Sequence, residues 1–370
     1  MLSDLLPGNA TDWERALAEA LDTNQSVSPA IVAIRGTKLL APPPSFLPFL
    51  IYEYGLGELT PYVPNLYELI AEGIDWQRVR GTPAAIDLAL AWLGYEGIVD
   101  EASSLRRYWN LFQLHLDRVR DARADLERIA GVAKLSVPRR SVFWRGYHGL
   151  DIRPLTLSES HWGEAHYGEF SGRRLEEGGP LWSFGRSYEF DHTLAEADLV
   201  ELGVWLEPVA DEDLGWGDFS WDSTEASWES SAVRARSEAM ASGAIGRPIW
   251  FAFFDEGGDV IGYRRARASW VVAPETGGPY RVGGADYAPV PSADIRIYAE
   301  CQTGFGDGDG SVAHSFGLVF DAVPSDPAAP GLLWLAPGEI SGGTEPVAVS
   351  PIDIAFGETI RERVKVLLRF

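Results

Sequence analysis

The chain has 370 residues, 46% of them hydrophobic, which is enough for two or three domains with real cores. Its formal net charge of −23 argues against sequence-wide binding to nucleic acid, whose phosphates it would repel. The single cysteine, Cys301, excludes an intrachain disulfide and a cysteine-rich zinc site, and no apolar run approaches the ~20 residues of a membrane span, so the expectation is synthesis in a cytosol and no membrane partner.

The first hundred residues read as short helices. Thr11 and Glu14 form a capping box ahead of WERALAEALD, in which Trp13, Leu17 and Leu21 recur every four residues. A second helix is expected from Ser28-Pro29. Pro48 suits the first turn of a third at FLIYEYG, and PNLYELIAEGIDWQRVR gives a fourth, bent or interrupted near Gly73. In RGTPAAIDLALAWLGYEG, Thr82 reads as an N-cap, Pro83 as the first helical residue and Gly94 as a left-handed C-cap, with Ile86, Leu90 and Leu93 on one face. The expected unit is a helical bundle over 1–102.

Residues 103–134 carry the longest apolar stripe. Leu105, Trp109, Phe112, Leu116, Val119, Leu126 and Ile129 step by threes, fours and one seven, which predicts one amphipathic helix of roughly 45 Å at 1.5 Å per residue. A small bundle does not cover so long a stripe, so either a partner helix packs on it or later segments of the chain do. The helix and a basic linker are expected over 103–145. Between Arg106 and Arg145 there are ten Lys or Arg against four Asp or Glu, and between Glu207 and Glu229 eight acidic residues and no basic one. Such asymmetry fits solvated faces, internal pairing or complementary partner surfaces.

After Pro138 the pattern turns to short extended runs punctuated by Gly and Pro, and 146–245 is expected to be an irregular, mixed segment with a short helix near 223–242. From 246 to 370 the signal is β. PIWFAFFDEGGDVIGYRRA reads as a hairpin across Glu256-Gly257-Gly258, and ASWVVAP, ADIRIYAECQTG, SVAHSFGLVFDAV and IRERVKVLLRF continue an antiparallel sheet or sandwich of five to eight strands. The fold class is α+β and multidomain.

Chemistry is weakly signalled. GFGDGDGSVAHS, 304–315, alternates Asp and Gly as calcium loops do, but counting from Asp307 the sixth and twelfth positions are Val312 and Leu318 where an EF-hand needs Gly and Glu, and a Gly-Asp hairpin turn between two strands explains it more simply. His161 and His166 flank Glu164 without the spacing of a helical zinc motif, and no nucleophile elbow, phosphate loop or dinucleotide fingerprint is present. No catalytic residue, metal site or cofactor is expected, and the chain is not read as an enzyme. The 14 Trp fit cores, large interfaces or sugar-stacking surfaces.

Three N-terminal motifs in order, LLPGNATDWERALAEAL, PPSFLPFLIYEYGLGE and RVRGTPAAIDLALAWLGYEG, resemble the phage tail protein I family, baseplate wedge proteins of contractile-tailed phages and related injection machines. The matching residues include Leu6, Pro7, Asn9 and Thr11 in the first motif and Gly81, Thr82, Pro83 and Gly94 in the third, all read as structural; the second motif matches loosely. DLERIAGVAKLSVPRRSVFWR, 125–145, is similar to a region of longer relatives. The resemblance implies a structural virion protein of the tail baseplate, assembled in the host cytoplasm, whose partners are a larger wedge protein (two copies per copy of this chain, joined through a helical bundle), neighbouring wedges, and a tail fibre or fibre adaptor. The alternative is a carbohydrate- or receptor-binding tail module using the Trp-rich acidic half.

Overall fold

The computed structural model describes residues 6–23, 26–32, 42–101, 109–152, 170–208, 231–291, 294–326 and 333–370. Its contacts divide the chain into two compact units, Met1–Glu96 with Arg128–Arg140, and Gly97–Glu127 with Ser141–Phe370.

The first unit is helical: α1 (Asp12–Ala20), α2 (residues 26–32), α3 (Leu47–Glu53), α4 (Leu66–Val79), α5 (Pro83–Trp92) and the C-terminal part of α6 (Arg123–Ser136). Local chemistry sets each start. At α1 the backbone N–H of Thr11 donates to Glu14 (2.7 Å) and that of Glu14 donates back to the Thr11 hydroxyl (3.3 Å), so the capping box is formed. Pro48 stands in the first turn of α3, and Asn65 caps α4 by accepting from the Tyr67 N–H at 3.1 Å. The expected break at Gly73 is absent, because this glycine serves packing: a Cβ there would sit 2.9 Å from Leu56 Cδ2. Leu56, Leu59, Leu69, Trp76, Ala89 and Val132 bury the centre of the unit.

The single long helix expected over 103–134 is two elements. Residues Leu111–Leu116 form strand β2, and helix α6 begins only at Arg123. Phe112, Leu114 and Leu116 are all buried, and the alternate residues Gln113 and His115 are also largely covered, so the run is covered on both strand faces. A short apolar run of that kind fits a helix face and a buried strand equally well, and the tertiary pairing decided between them.

The second unit is built on two sheets. In chain order its strands are β1 (Gly97–Glu101), β2, β3 (Val142–Gly149), β4 (Arg173–Arg174), β5 (Leu181–Thr193), β6 (Ile249–Phe254), β7 (Val260–Arg265), β8 (Ala268–Pro274), β9 (Tyr280–Val282), β10 (Ala285–Pro289), β11 (Arg296–Gln302), β12 (Val312–Phe320), β13 (Val323–Pro324), β14 (Trp334–Leu335), β15 (Ile340–Ser341), β16 (Val347–Ala355) and β17 (Ile360–Arg369). The larger sheet runs β1-β2-β3-β5-β17-β11-β8-β10-β9 with β4 on the flank of β5; the smaller runs β14-β7-β6-β12-β16. Phe251, Phe253, Phe316 and Leu318 of the smaller sheet pack with Ile297, Val364, Val366 and Leu368 of the larger, joined by Leu199 of α7 (Glu196–Glu201) and Met240 of α8 (Ser231–Ala244).

The sandwich and its hairpin follow the sequence: β6 and β7 pair across Glu256-Gly257-Gly258, with Gly258 at φ +84. The expectation of an antiparallel sheet over 246–370 holds for the strands of that span, and earlier strands add parallel pairs to the larger sheet, β2 with β3, β3 with β5, and β5 with β17. The alternation of side chains reports which face is buried but not which way the neighbouring strand runs. The span expected to be irregular holds β5, 13 residues long and central to the larger sheet. Its first half, LWSFGRS, reads as loop because of Gly185 and two serines, yet the glycine is obligatory. Gly149 of β3 (φ +71) and Gly185 of β5 pair, a Cβ on Gly149 would lie 2.0 Å from the Gly185 carbonyl oxygen, and one on Gly185 would lie 2.4 Å from that of Leu150.

The two strands therefore touch where no side chain fits. Gly185→Ala is expected to destabilise the chain by roughly 2–4 kcal/mol in urea unfolding. Gly178→Ala, at φ +77 with open space around it, is expected to cost only about 1 kcal/mol. Equal losses for the two variants would refute the close-approach account.

Candidate functional site

The Gly81-Thr82-Pro83 motif sits at the turn from α4 to α5. Gly81 adopts φ +94 and donates its N–H to the Ser136 carbonyl at 2.8 Å. Arg80 donates from Nε to the Leu135 carbonyl at 2.9 Å. Both acceptors are orphan carbonyls at the C-terminal end of α6, where a cation and N–H donors are favourable. Trp76 of α4 donates its indole N–H to the Ser136 hydroxyl (3.1 Å), which donates in turn to the Val132 carbonyl (2.8 Å). The motif is thus a clasp on the last turn of α6. Pro83 opens α5 as expected and Gly94 ends it at φ +72. Thr82 stands at the N-cap position of α5 as expected, but its side chain makes no capping bond there: its hydroxyl donates to the Val79 carbonyl at 2.7 Å, at the end of α4. Of the first motif, Thr11 caps α1, while Pro7 closes a turn through its carbonyl to the Ala10 N–H at 2.9 Å; Leu6 is partly buried and Asn9 exposed.

The seven residues expected to face a partner helix do not share a face. Leu105 lies outside the described residues. Trp109 precedes β2 and is exposed, Phe112 and Leu116 are buried on β2, Val119 lies between β2 and α6, and Leu126 and Ile129 are buried on α6. The chain's own residues cover Phe112, Leu116, Leu126 and Ile129, while Trp109 is left open. Arg145, counted there within a basic linker, is fully buried on β3. Its guanidinium is bidentate to Asp151 (Nη1 to Oδ2 at 3.1 Å) and donates from Nε to the Ser171 carbonyl at 2.9 Å.

An uncovered apolar surface does exist, and it lies earlier in the chain. No residue of α1 is buried, although Trp13, Leu17 and Leu21 line one side of it. Trp13 is 71% exposed; Leu21, Val27, Ile31, Val32, Phe49 and Tyr52 are exposed as well. The four-residue spacing of Trp13, Leu17 and Leu21 was legible; that this face stays open was not, since amphipathicity is the same whether a helix covers its own core or waits for another chain.

The remaining sequence features are structural where they are described. In 304–311 the glycines at 306, 308 and 310 have φ of +83, +65 and +79, and each turn closes with a backbone bond, Ser311 N to Gly308 O at 3.0 Å being the shortest. Asp307 accepts from the Gly304 N–H and from Arg264 at 2.8 Å. The Asp-Gly alternation therefore encodes turns, and it joins strands of different sheets rather than a hairpin. Among the described residues no group of three His, Cys, Asp or Glu could hold a metal ion. His161, His166 and the tryptophans 216, 221 and 228 lie outside the described residues; Trp205 is partly buried with the Arg236 guanidinium 4.4 Å from its ring centre.

One buried carboxyl is electrostatically unusual. Glu362 on β17 is 1% exposed, pairs with Arg186 at 2.8 Å through Oε1, and leaves Oε2 without a partner. Burial pushes its pKa up to about 7 against the opposing pull of Arg186.

Two outcomes follow. Ser136→Ala leaves the buried Trp76 indole N–H without an acceptor and is expected to cost roughly 1–3 kcal/mol in equilibrium unfolding, more than Ser26→Ala at an exposed position. Because Glu362 binds its proton more tightly folded than unfolded, stability falls as pH rises from about 4.5 to about 7. Glu362→Gln is expected to remove that fall and to exceed the wild type in melting temperature at pH 8; parallel pH profiles would rule this out.

Residues 6–137 match the family model described as Phage tail protein (Tail_P2_I). The match takes in α1 through α6, with the capping box, the glycine clasp and the exposed α1 face, and ends one residue beyond the last turn of α6. No curated protein matches the chain. No helix among the described residues is long and apolar enough to cross a membrane. Over residues 6–137, with the clasp at Gly81-Thr82-Pro83 in place, the N-terminal part of the chain is similar to the phage tail protein I family.

Proposed function

We propose that this chain is a baseplate wedge component of a contractile tail, and that it joins the larger wedge protein through its N-terminal helices. The observation that carries the reading is α1, an amphipathic helix with a formed capping box and no buried residue. A helix of nine residues is too short to be stable alone in water. Its exposed Trp13, Leu17 and Leu21 are what a helical bundle with another chain requires. The family resemblance supplies the partner: two copies of the larger wedge protein per copy of this chain, with neighbouring wedges and a tail fibre or adaptor at the other contacts. In the stripe expected to serve this role, 103–134, Phe112, Leu116, Leu126 and Ile129 are buried within the chain, so the joint moves to α1 and the residues around it.

The role is mechanical. The clasp holds the end of α6 while α1 engages the partner, and a change in the baseplate is passed through interfaces rather than through a catalytic group.

The test is co-expression with the larger wedge protein, followed by native mass spectrometry. Wild type is expected to give a complex of one copy of this chain with two of the partner. Trp13→Asp and Leu17→Asp, at exposed positions, are expected to leave the melting temperature within about 2 °C and to abolish the complex. A complex formed equally well by both variants would remove α1 as the joint, and a wild-type chain that ignores the partner would remove the wedge reading itself.

A further inference from the structure

Strand β11 runs past its last residue paired with β17 into the segment Thr303–Phe305, in the part of the chain outside the family match. The segment is fixed: the Thr303 N–H donates to the Glu362 carbonyl (2.9 Å) and the Thr303 hydroxyl accepts from the Glu362 N–H (2.8 Å). Three arginines meet around it. Arg264 pairs with Asp307 at 2.8 Å. Arg267 donates from Nη1 to Gln302 Oε1 at 2.9 Å. Arg361 donates from Nε to the Thr303 carbonyl at 3.1 Å and lies 5.2 Å from the centre of the Phe305 ring.

The charges do not balance. Asp307 is engaged by Arg264, and the nearby Asp151 by Arg145. Among the described residues neither Arg267 nor Arg361 has a carboxylate at ion-pair distance, and the two terminal nitrogens of Arg361 make no hydrogen bond. Burial, then Arg264 and Arg267, bring the Arg361 guanidinium down to about 10 against the weaker opposing pull of Asp307 and Asp151.

Gln302 supplies an independent sign. It is 5% exposed, and its amide Nε2 has no partner. The amide cannot be turned round to repair this. Arg267 only donates, so the carbonyl oxygen of Gln302 must face it and the NH₂ must point elsewhere. Gln302 stands opposite Arg363 in the β11–β17 register, and Arg361, two residues before Arg363, shares that face of the sheet. Arg363 itself is committed to Glu300 through two bonds of 2.9 Å. What remains on this face is a buried N–H₂ and two guanidinium groups. All are donors, and a group of donors without an acceptor fits an anion rather than a cation or a neutral sugar.

We propose that Arg361, Arg267 and the Gln302 amide bind a single oxyanion, of the carboxylate or the phosphate and sulfate type. The anion supplies the missing counter-charge and the acceptor for Gln302 Nε2. The site does not depend on the wedge reading.

The experiment is thermal unfolding of the full chain at constant ionic strength, with sodium chloride replaced stepwise by sodium phosphate, sodium sulfate or sodium acetate. Phosphate and sulfate stabilise proteins in general, so the readout is the difference between wild type and variants. A bound oxyanion is expected to raise the wild-type midpoint by roughly 3 °C more than that of Arg361→Met or Gln302→Leu, with a saturating dependence on concentration. A gain with acetate identifies a carboxylate site, and a gain with phosphate or sulfate alone identifies a tetrahedral anion. Equal responses in wild type and variants would overturn the proposal. If Arg361→Met and Gln302→Leu fail to fold, Arg267→Met, altered at an exposed side chain, reads out the same difference.

Discussion

The second unit depends on the close approach of β3 and β5 at Gly149 and Gly185. A side chain at either position would meet a backbone carbonyl oxygen at 2.4 Å or less. With both glycines in place, β5 can lie parallel to β3 on one side and to β17 on the other. That arrangement puts the last strand of the chain at the centre of the larger sheet, so residues before 150 and after 360 become parts of one β structure. Parallel neighbours so distant in sequence need long crossovers, which the smaller sheet and the helices α7 and α8 supply. The same placement fixes the two faces of β17. Val364, Val366 and Leu368 go into the sandwich, while Arg361, Arg363 and Lys365 go to the other face.

Burying so much charge on β3, β5, β11 and β17 has a cost that the structure offsets pair by pair. Glu300 takes Arg363, and Arg145 takes Asp151 and the Ser171 carbonyl. Breaking such a pair leaves a buried charge alone, which is worth several kcal/mol against the fold. Glu362 is the case where the balance is least complete, since Arg186 reaches one oxygen and nothing reaches the other. Its raised pKa and the surplus of arginine around Thr303–Phe305 are two sides of one fact: the end of this sheet holds charges in low dielectric without enough partners of its own.

The first unit works by other means. Its helices are short, and their ends matter more than their lengths. The clasp made by Arg80, Gly81, Trp76 and Ser136 satisfies carbonyls of α6 that would otherwise be orphaned. This gives the Gly-Thr-Pro motif a physical role that needs no chemistry. Glycine allows φ +94, threonine closes α4, and proline opens α5 where its missing N–H is harmless. α1 has no such internal support, and its apolar face is the structural reason to look for another chain.

The sequence by itself determined what depends on near neighbours. The Thr11–Glu14 box, Pro48 and Pro83 in first turns, the left-handed Gly94 and the turn at Gly258 are all bonds or conformations spanning a few residues, and their residue types state them directly. The family motifs are legible for the same reason. Tertiary structure decided what depends on a distant partner. LFQLHL became a strand because β1 and β3 receive it on either side, not because its pattern differs from a helix face. WSFGRS became the middle of a sheet because Gly149 and Gly185 let two backbones touch. The Thr82 hydroxyl turned from capping α5 to bonding the end of α4 because Val79 offered a carbonyl within reach. Arg145, counted in a basic linker, and Gln302 were drawn inside by pairing registers that no single stretch of sequence contains. Hydrophobic periodicity records burial but not the identity or direction of what does the burying, and the open apolar face of α1 and the arginine cluster were both hidden behind that limit.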